Sequence, residues 1–184
     1  MIENEMLMRK AIEIFRLHGT RFTMDEISES LGISKRTLYD LVTSKENLIK
    51  MAINYYFDSI NKIQAGIYHD SSLDIIQKLK LILTSLPKTA SVEYSKLTDI
   101  KKNYSHLFND IDLRLTNGWE LTYSLIDEAV KEGILIKFDK ELFKRIYVSA
   151  IENVIINYNI ELKTYKEVLE EIVDILLNGI KARC

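Results

Sequence analysis

The sequence predicts an all-α protein, and three observations carry that expectation. Its 184 residues contain only six glycines and one proline. Strand-rich folds need frequent turn residues, whereas long helices exclude both. Apolar residues recur at helical spacing through most of the chain. Hydrophobic residues make up 47% and charged residues 28%, the balance of an ordered soluble protein rather than a disordered one. Punctuation at Gly19, Gly32, Gly66, Pro87, the 103–110 stretch, Gly133 and around Lys163 divides the chain into about nine helices, with no internal repeat or low-complexity tract.

The first helix is expected from about Glu3 to His18, with Leu7, Ala11, Ile14 and Phe15 on one face and Gly19 placed to stop it. Two short helices follow over about 24–31 and 35–41, then a longer one from about Lys45 to Gln64 with Ile49, Ile53, Tyr56 and Ile60 at helical spacing. Thr23 with Glu26, and Thr43 with Glu46, match the capping-box spacing that satisfies orphaned amides at a helix start. Further helices are expected over about 72–86, 89–102, 110–132, 139–160 and 164–181, and the β-branched segment Ile134–Phe138 reads as an extended connector.

The stretch from Thr23 to Leu48 is the most informative. Two helices of about two turns each, joined at Gly32, give the geometry in which one helix braces the DNA backbone and the second enters the major groove. Ile27, Leu31, Ile33 and Leu38 would pack the pair together. The second helix then presents Lys35, Arg36, Thr37 and Tyr39, suited to phosphates and base edges. Ser34 would cap it and leave amides for a phosphate. Tyr39 has an alternative role, packing against Lys45 and the first helix.

The pattern Ala11, Phe15, Gly19, Thr23, Ile27, Gly32, Ile33, Ser34, Thr37, Leu38, Tyr39, Ser44, Lys45 and Leu48 resembles the DNA-binding signature of the TetR (tetracycline-repressor) family. The resemblance covers roughly the first quarter of the chain; the later helices are similar only in number and length. It implies a one-component regulator with a helix-turn-helix domain over 1–48 and a helical regulatory and dimerisation domain over 49–184. It places Lys35, Arg36, Thr37 and Tyr39 at the groove and its phosphates, and Lys45 on a phosphate from the start of the fourth helix. The expected DNA-binding set is Thr23, Ser34, Lys35, Arg36, Thr37, Tyr39 and Lys45. The sequence departs from the family at Arg36, often a small residue, at Leu41, often aromatic or histidine, and at Val42, often aromatic. Asp40 is acidic on a surface facing phosphate.

The formal net charge of −2 gives no overall attraction to nucleic acid or anionic lipid, so DNA affinity must come from a local arrangement of cations and from two copies acting together. Within the first fifty residues the cations Arg9, Lys10, Arg16, Arg21, Lys35, Arg36, Lys45 and Lys50 are balanced by acidic residues.

Pairing is expected through the last two helices. The 139–160 helix spreads Leu142, Phe143, Ile146, Tyr147, Ala150, Ile151, Val154, Ile155 and Tyr158 over more than one face. The last helix does the same with Val168, Leu169, Ile172, Val173, Ile175, Leu176 and Ile180. A four-helix interface with a second copy, centred on Ile151, Val154, Ile155, Tyr158, Leu169, Ile172 and Leu176, would cover them and supply two readers for a palindromic site. The alternative is that both are ordinary core helices.

For sensing, Trp119 and Tyr123 lie one helical turn apart. The resemblance puts their helix beside a ligand cavity, to which Tyr94, Tyr104, Phe108 and Tyr147 would add walls; as an alternative, all six are core aromatics. A small effector bound there would displace the fourth helix and change the spacing of the two readers.

Other classes are disfavoured. His18, His69 and His106 show no metal-ligand spacing, and neither a phosphate loop nor a nucleophile elbow is present, so neither catalysis nor a cofactor or metal is expected. The single cysteine, Cys184, excludes an internal disulfide framework. The acidic start, Glu3 and Glu5, differs from a secretory signal, and no run is apolar enough to cross a bilayer, so a cytoplasmic protein is expected. The remaining rival is a helical interaction module whose DNA binding has weakened or been lost, which Asp40 and Leu41 would suit.

Overall fold

A computed structural model describes residues 4–85, 94–157 and 163–182. The helices are α1 (Asn4–His18), α2 (Met24–Leu31), α3 (Lys35–Val42), α4 (Lys45–His69), α5 (Ile75–Leu83), α6 (Tyr94–Asn103), α7 (Ser105–Thr116), α8 (Glu120–Lys131), α9 (Lys140–Asn157) and α10 (Tyr165–Ile180), with a 3₁₀ turn over Gly19–Arg21. The expected all-α class holds. Among the described residues the only β contact is an isolated antiparallel bridge between Leu135 and Lys181, so Ile134–Phe138 is the extended connector expected. Pro87 and Tyr158 lie outside the described residues.

Two compact units form, one from Met1–Asp58 with Lys88–Asp112, the other from Ser59–Pro87 with Leu113–Cys184. The expected division after residue 48 assigned everything later to one domain. Instead the amino-terminal unit takes ten more residues of α4, and α6 with most of α7. The reason is tertiary: α6 packs on α1 and the 3₁₀ turn, where Asn103 Nδ2 donates to Thr20 Oγ1 at 2.8 Å.

In the amino-terminal unit, α1 buries Leu7, Met8, Ala11, Ile12 and Ile14, α2 buries Met24 and Ile27, α3 buries Leu38 and Val42, and α4 adds Leu48 and Ile49. Thr23 and Glu26 form the expected capping box, each side chain bonded to the other's amide. Those bonds to Thr23, its backbone amide first, hold the Glu26 carboxyl below its usual pKa. The box expected at Thr43 and Glu46 does not form. Thr43 ends α3 at φ 60°, its hydroxyl donates to Val42 O, and Ser44 Oγ caps α4 by accepting from the Asn47 amide at 3.0 Å. Glu46 turns instead to His106, 2.8 Å away on α7.

In the second unit, α8 carries Thr122, Leu125, Ile126 and Ala129 along one buried stripe and packs on α5, while α10 packs on α5 and α9. The continuous helix expected over 110–132 is two helices. Asn117–Gly118 interrupts it, with Gly118 at φ 78°, a left-handed conformation that favours glycine. Conversely Gly66 does not end α4, which runs on to His69; an isolated glycine costs a helix only about 1 kcal/mol.

Candidate nucleic-acid interface

The α2–turn–α3 geometry follows from local chemistry. Gly32 sits at φ 65°, its amide bonded to Glu29 O, while the Ile33 amide reaches back to Ser28 O at 3.0 Å. This is a Schellman-type stop that a residue with a Cβ adopts only under strain. Two residues later Ser34 Oγ accepts from the Thr37 amide at 3.0 Å, the expected cap for α3. Leu38 and Val42 then fix which face of α3 points inward, both wholly buried at 0% exposure. Lys35, Arg36, Thr37, Tyr39, Asp40 and Leu41 are left exposed.

The exposed groups are not equally free. Lys35 Nζ lies 2.9 Å from Asp25 on α2, which raises the ammonium pKa. Thr37 Oγ1 and Ser34 Oγ share a hydrogen bond of 2.8 Å. Arg36 and Asp40 make no hydrogen bond or ion pair within the described chain. Tyr39 is 39% exposed and Leu41 45%, an aromatic and an aliphatic contact on the flanks of the same helix. Thr23, expected among the DNA-facing residues, is exposed with its hydroxyl engaged in the α2 cap.

Lys45 is placed differently from a solvated phosphate ligand. Its ammonium donates to Thr20 O at 2.7 Å and to Phe22 O at 2.5 Å, and lies 4.5 Å from the centre of the Phe22 ring. Burial lowers its pKa, partly offset by Glu26. Two of its three donors are therefore spent holding the strand of chain that leads into α2. Asn47 plays a matching part at the other end of the motif, its amide donating to Val42 O at 2.9 Å. Neither role was apparent from the sequence, because both partners are backbone carbonyls.

The six aromatics expected around an effector divide between the two units. Tyr104 and Phe108 belong to the amino-terminal unit, with Lys101 Nζ 5.2 Å from the Phe108 ring. Tyr94 begins α6, and its side chain lies outside the described residues. Trp119, Tyr123 and Tyr147 come together in the second unit, Trp119 at 5.3 Å from Tyr147 and 6.0 Å from Tyr123 between ring centres. Their polar ends are occupied. Trp119 Nε1 donates to Leu115 O, Tyr147 OH to Leu83 O and Tyr123 OH to Glu141. Burial raises the phenol pKa of Tyr147, and burial followed by the Glu141 contact raises that of Tyr123.

Of the side chains expected to pair two copies, Ile151, Val154 and Leu169 are at most 7% exposed and already serve the core of their own unit. Ile172 and Leu176 are half-buried, the Ile155 side chain lies outside the described residues, and so does Tyr158. Among the described residues, the large apolar groups left open on these helices are Leu142, Ile146 and Ile175, at 54%, 47% and 72% exposure.

A short two-helix motif presenting a capped, polar second helix is the geometry of a helix-turn-helix. Residues 7–52 match the sequence model described as bacterial regulatory proteins, tetR family. A relative from Bacillus subtilis (strain 168), the uncharacterized HTH-type transcriptional regulator YvaF, is 29% identical over 97% of this chain and 96% of its own. Solved structures share the fold. A regulator of the TetR/AcrR family from Thermobifida fusca aligns at a TM-score of 0.69 and 21% identity over 96% of this chain and 97% of that one. The fatty acid degradation regulator FadR from Bacillus halodurans aligns at 0.70 and 17% over 98% and 97%. Residues 7–52 are thus similar to the tetR-family helix-turn-helix, and the chain as a whole is similar to an HTH-type transcriptional regulator.

Proposed function

We propose that the protein is a ligand-responsive repressor that binds a palindromic operator as a homodimer through α3 and is released by a small-molecule effector. The observation that carries the reading is the exposed face of α3, held by caps at both ends and by two buried side chains, with Arg36 uncommitted and Lys35 held only by an exposed ion pair. Surface pairs of that kind are worth little and exchange readily for a phosphate. Thr23, Ser34, Thr37 and Tyr39 complete the contact surface. No helix among the described residues is long and apolar enough to cross a membrane. Binding of the full-length protein to promoter fragments, measured across a salt series, tests the reading. Affinity should fall steeply with salt, and the Lys35→Ala/Arg36→Ala variant should bind about tenfold or more weakly with a shallower slope, because each lost phosphate contact removes about 0.9 from it. Salt-independent or absent binding would favour the rival interaction module.

Pairing is assigned to the outer faces of α9 and α10. Ile172, Ile175 and Leu176 lie on one face of α10 together with Gly179, whose lack of a side chain leaves room for a neighbouring helix. Replacing Ile175 with glutamate places a charge on the most exposed apolar position. It should shift the protein from dimer to monomer in analytical ultracentrifugation without lowering helix content, and an unchanged sedimentation coefficient would remove this face from the interface. The effector is expected near the aromatics of the second unit, where Trp119 fluorescence would report it.

A further inference from the structure

We infer that Arg36 and Asp40 act together as the base-reading pair of α3, Arg36 selecting a guanine and Asp40 a cytosine within about two base-pair steps of it. The inference rests on the operator-binding reading of α3 given above, and adds to it which bases the helix demands.

Helix geometry singles these two out. With Leu38 at the centre of the inward face, positions two before and two after it are each rotated by about 200° in opposite senses, so Arg36 and Asp40 are the two outermost side chains of α3. Both are exposed, and within the described chain they pair neither with each other nor with anything else. Lys35 is paired with Asp25, Thr37 with Ser34, and Lys45 with two carbonyls, while Tyr39, rotated only about 100° from Leu38, lies on the flank of the helix. A group without an internal partner that faces away from the core breaks no bond within the protein on entering the groove.

The chemistry of each side chain then limits what it can read. The arginine fork fits the paired acceptors O6 and N7 of guanine and no other single base edge as well. Asp40 can only accept. In the major groove guanine and thymine offer acceptors, which repel a carboxylate, and adenine sets its N6 donor beside the N7 acceptor. Cytosine offers the N4 donor without an adjacent acceptor of its own. Asp40 therefore lowers affinity for DNA in general and lowers it least where a cytosine amino group is presented, which is discrimination by rejection. Four residues along a helix advance about 6 Å, close to two base-pair steps of about 3.4 Å.

Selection from a random duplex library with the full-length wild type, Arg36→Ala, Arg36→Lys and Asp40→Asn tests the pair, with affinities then measured on the selected operator and its single-base variants. The wild type should yield an inverted repeat whose half-sites hold a guanine and, within two steps, a cytosine. Arg36→Ala should bind that operator about tenfold to a hundredfold more weakly and lose the guanine preference. Arg36→Lys should weaken the preference while keeping the salt slope. Asp40→Asn should move the cytosine position toward adenine, whose donor and acceptor match an amide. If the wild type selects an inverted repeat but Arg36→Ala weakens every sequence alike with the consensus intact, Arg36 is a phosphate contact and the inference fails. It fails too if Asp40→Asn leaves the cytosine position unchanged. If the wild type selects no sequence, the operator-binding reading falls, and the pair with it.

Discussion

Replacing Leu38 with alanine should destabilise the amino-terminal unit by about 2–5 kcal/mol and abolish sequence-specific DNA binding while leaving every DNA-facing side chain in place. The length of α3 is the reason. At eight residues the helix is well below the roughly 12–15 residues at which an isolated helix becomes even marginal in water, so it exists only because its inward face is packed. Leu38 and Val42 are that face, both at 0% exposure. The cap at Ser34 fixes where the helix starts, yet a cap is worth only about 1 kcal/mol and cannot replace a lost leucine. The measurement must look at the right unit. The single tryptophan, Trp119, belongs to the other one, so its fluorescence would miss the change. Amide hydrogen exchange over residues 35–42 should show protection collapsing toward free-peptide rates. Retained protection with intact operator affinity would show that α3 is held by something other than Leu38.

The features legible in the sequence are those decided locally. The cap at Thr23, the cap at Ser34 and the turn at Gly32 each depend on residues within five positions; both caps and the turn form as expected, and the structure adds the left-handed conformation of Gly32. The shift from Thr43 to Ser44 at the start of α4 was less legible, since both are good caps and the decision lies in how tightly α3 ends. The break at Asn117–Gly118 falls on a turn-forming dipeptide absent from the expected punctuation, within apolar periodicity that continues on either side. Buried and exposed faces of α9 and α10 could not be separated from sequence, because apolar side chains occupy both. Ile151 and Ile175 differ only in where they point. Contacts spanning many residues were invisible, including the grouping of α6 with the DNA-reading helices through Asn103 and Thr20.

Lys45 is expected on a phosphate and is bonded to two backbone carbonyls, and the two roles predict different results for Lys45→Met. Methionine keeps most of the apolar stem and removes the ammonium, so Thr20 O and Phe22 O each lose a donor. Both residues are among the least exposed in the unit, at 6% and 2%, and leaving sheltered acceptors unpaired costs about 1–3 kcal/mol. For a unit of this size that is a fall of several degrees or more in melting temperature, at about 4–8 °C per kcal/mol. The segment that leads into α2 would also lose its tie to the start of α4, so operator affinity should fall in parallel with stability. If the ammonium acted mainly on a phosphate, the melting temperature would hold and the salt slope would drop by about 0.9. Its two carbonyl bonds favour the first outcome, because an ammonium with one donor left must abandon part of the brace to grip a phosphate fully. Measuring the melting curve and the salt slope on the same variant decides between them, and a variant that melts like the wild type would return Lys45 to the DNA.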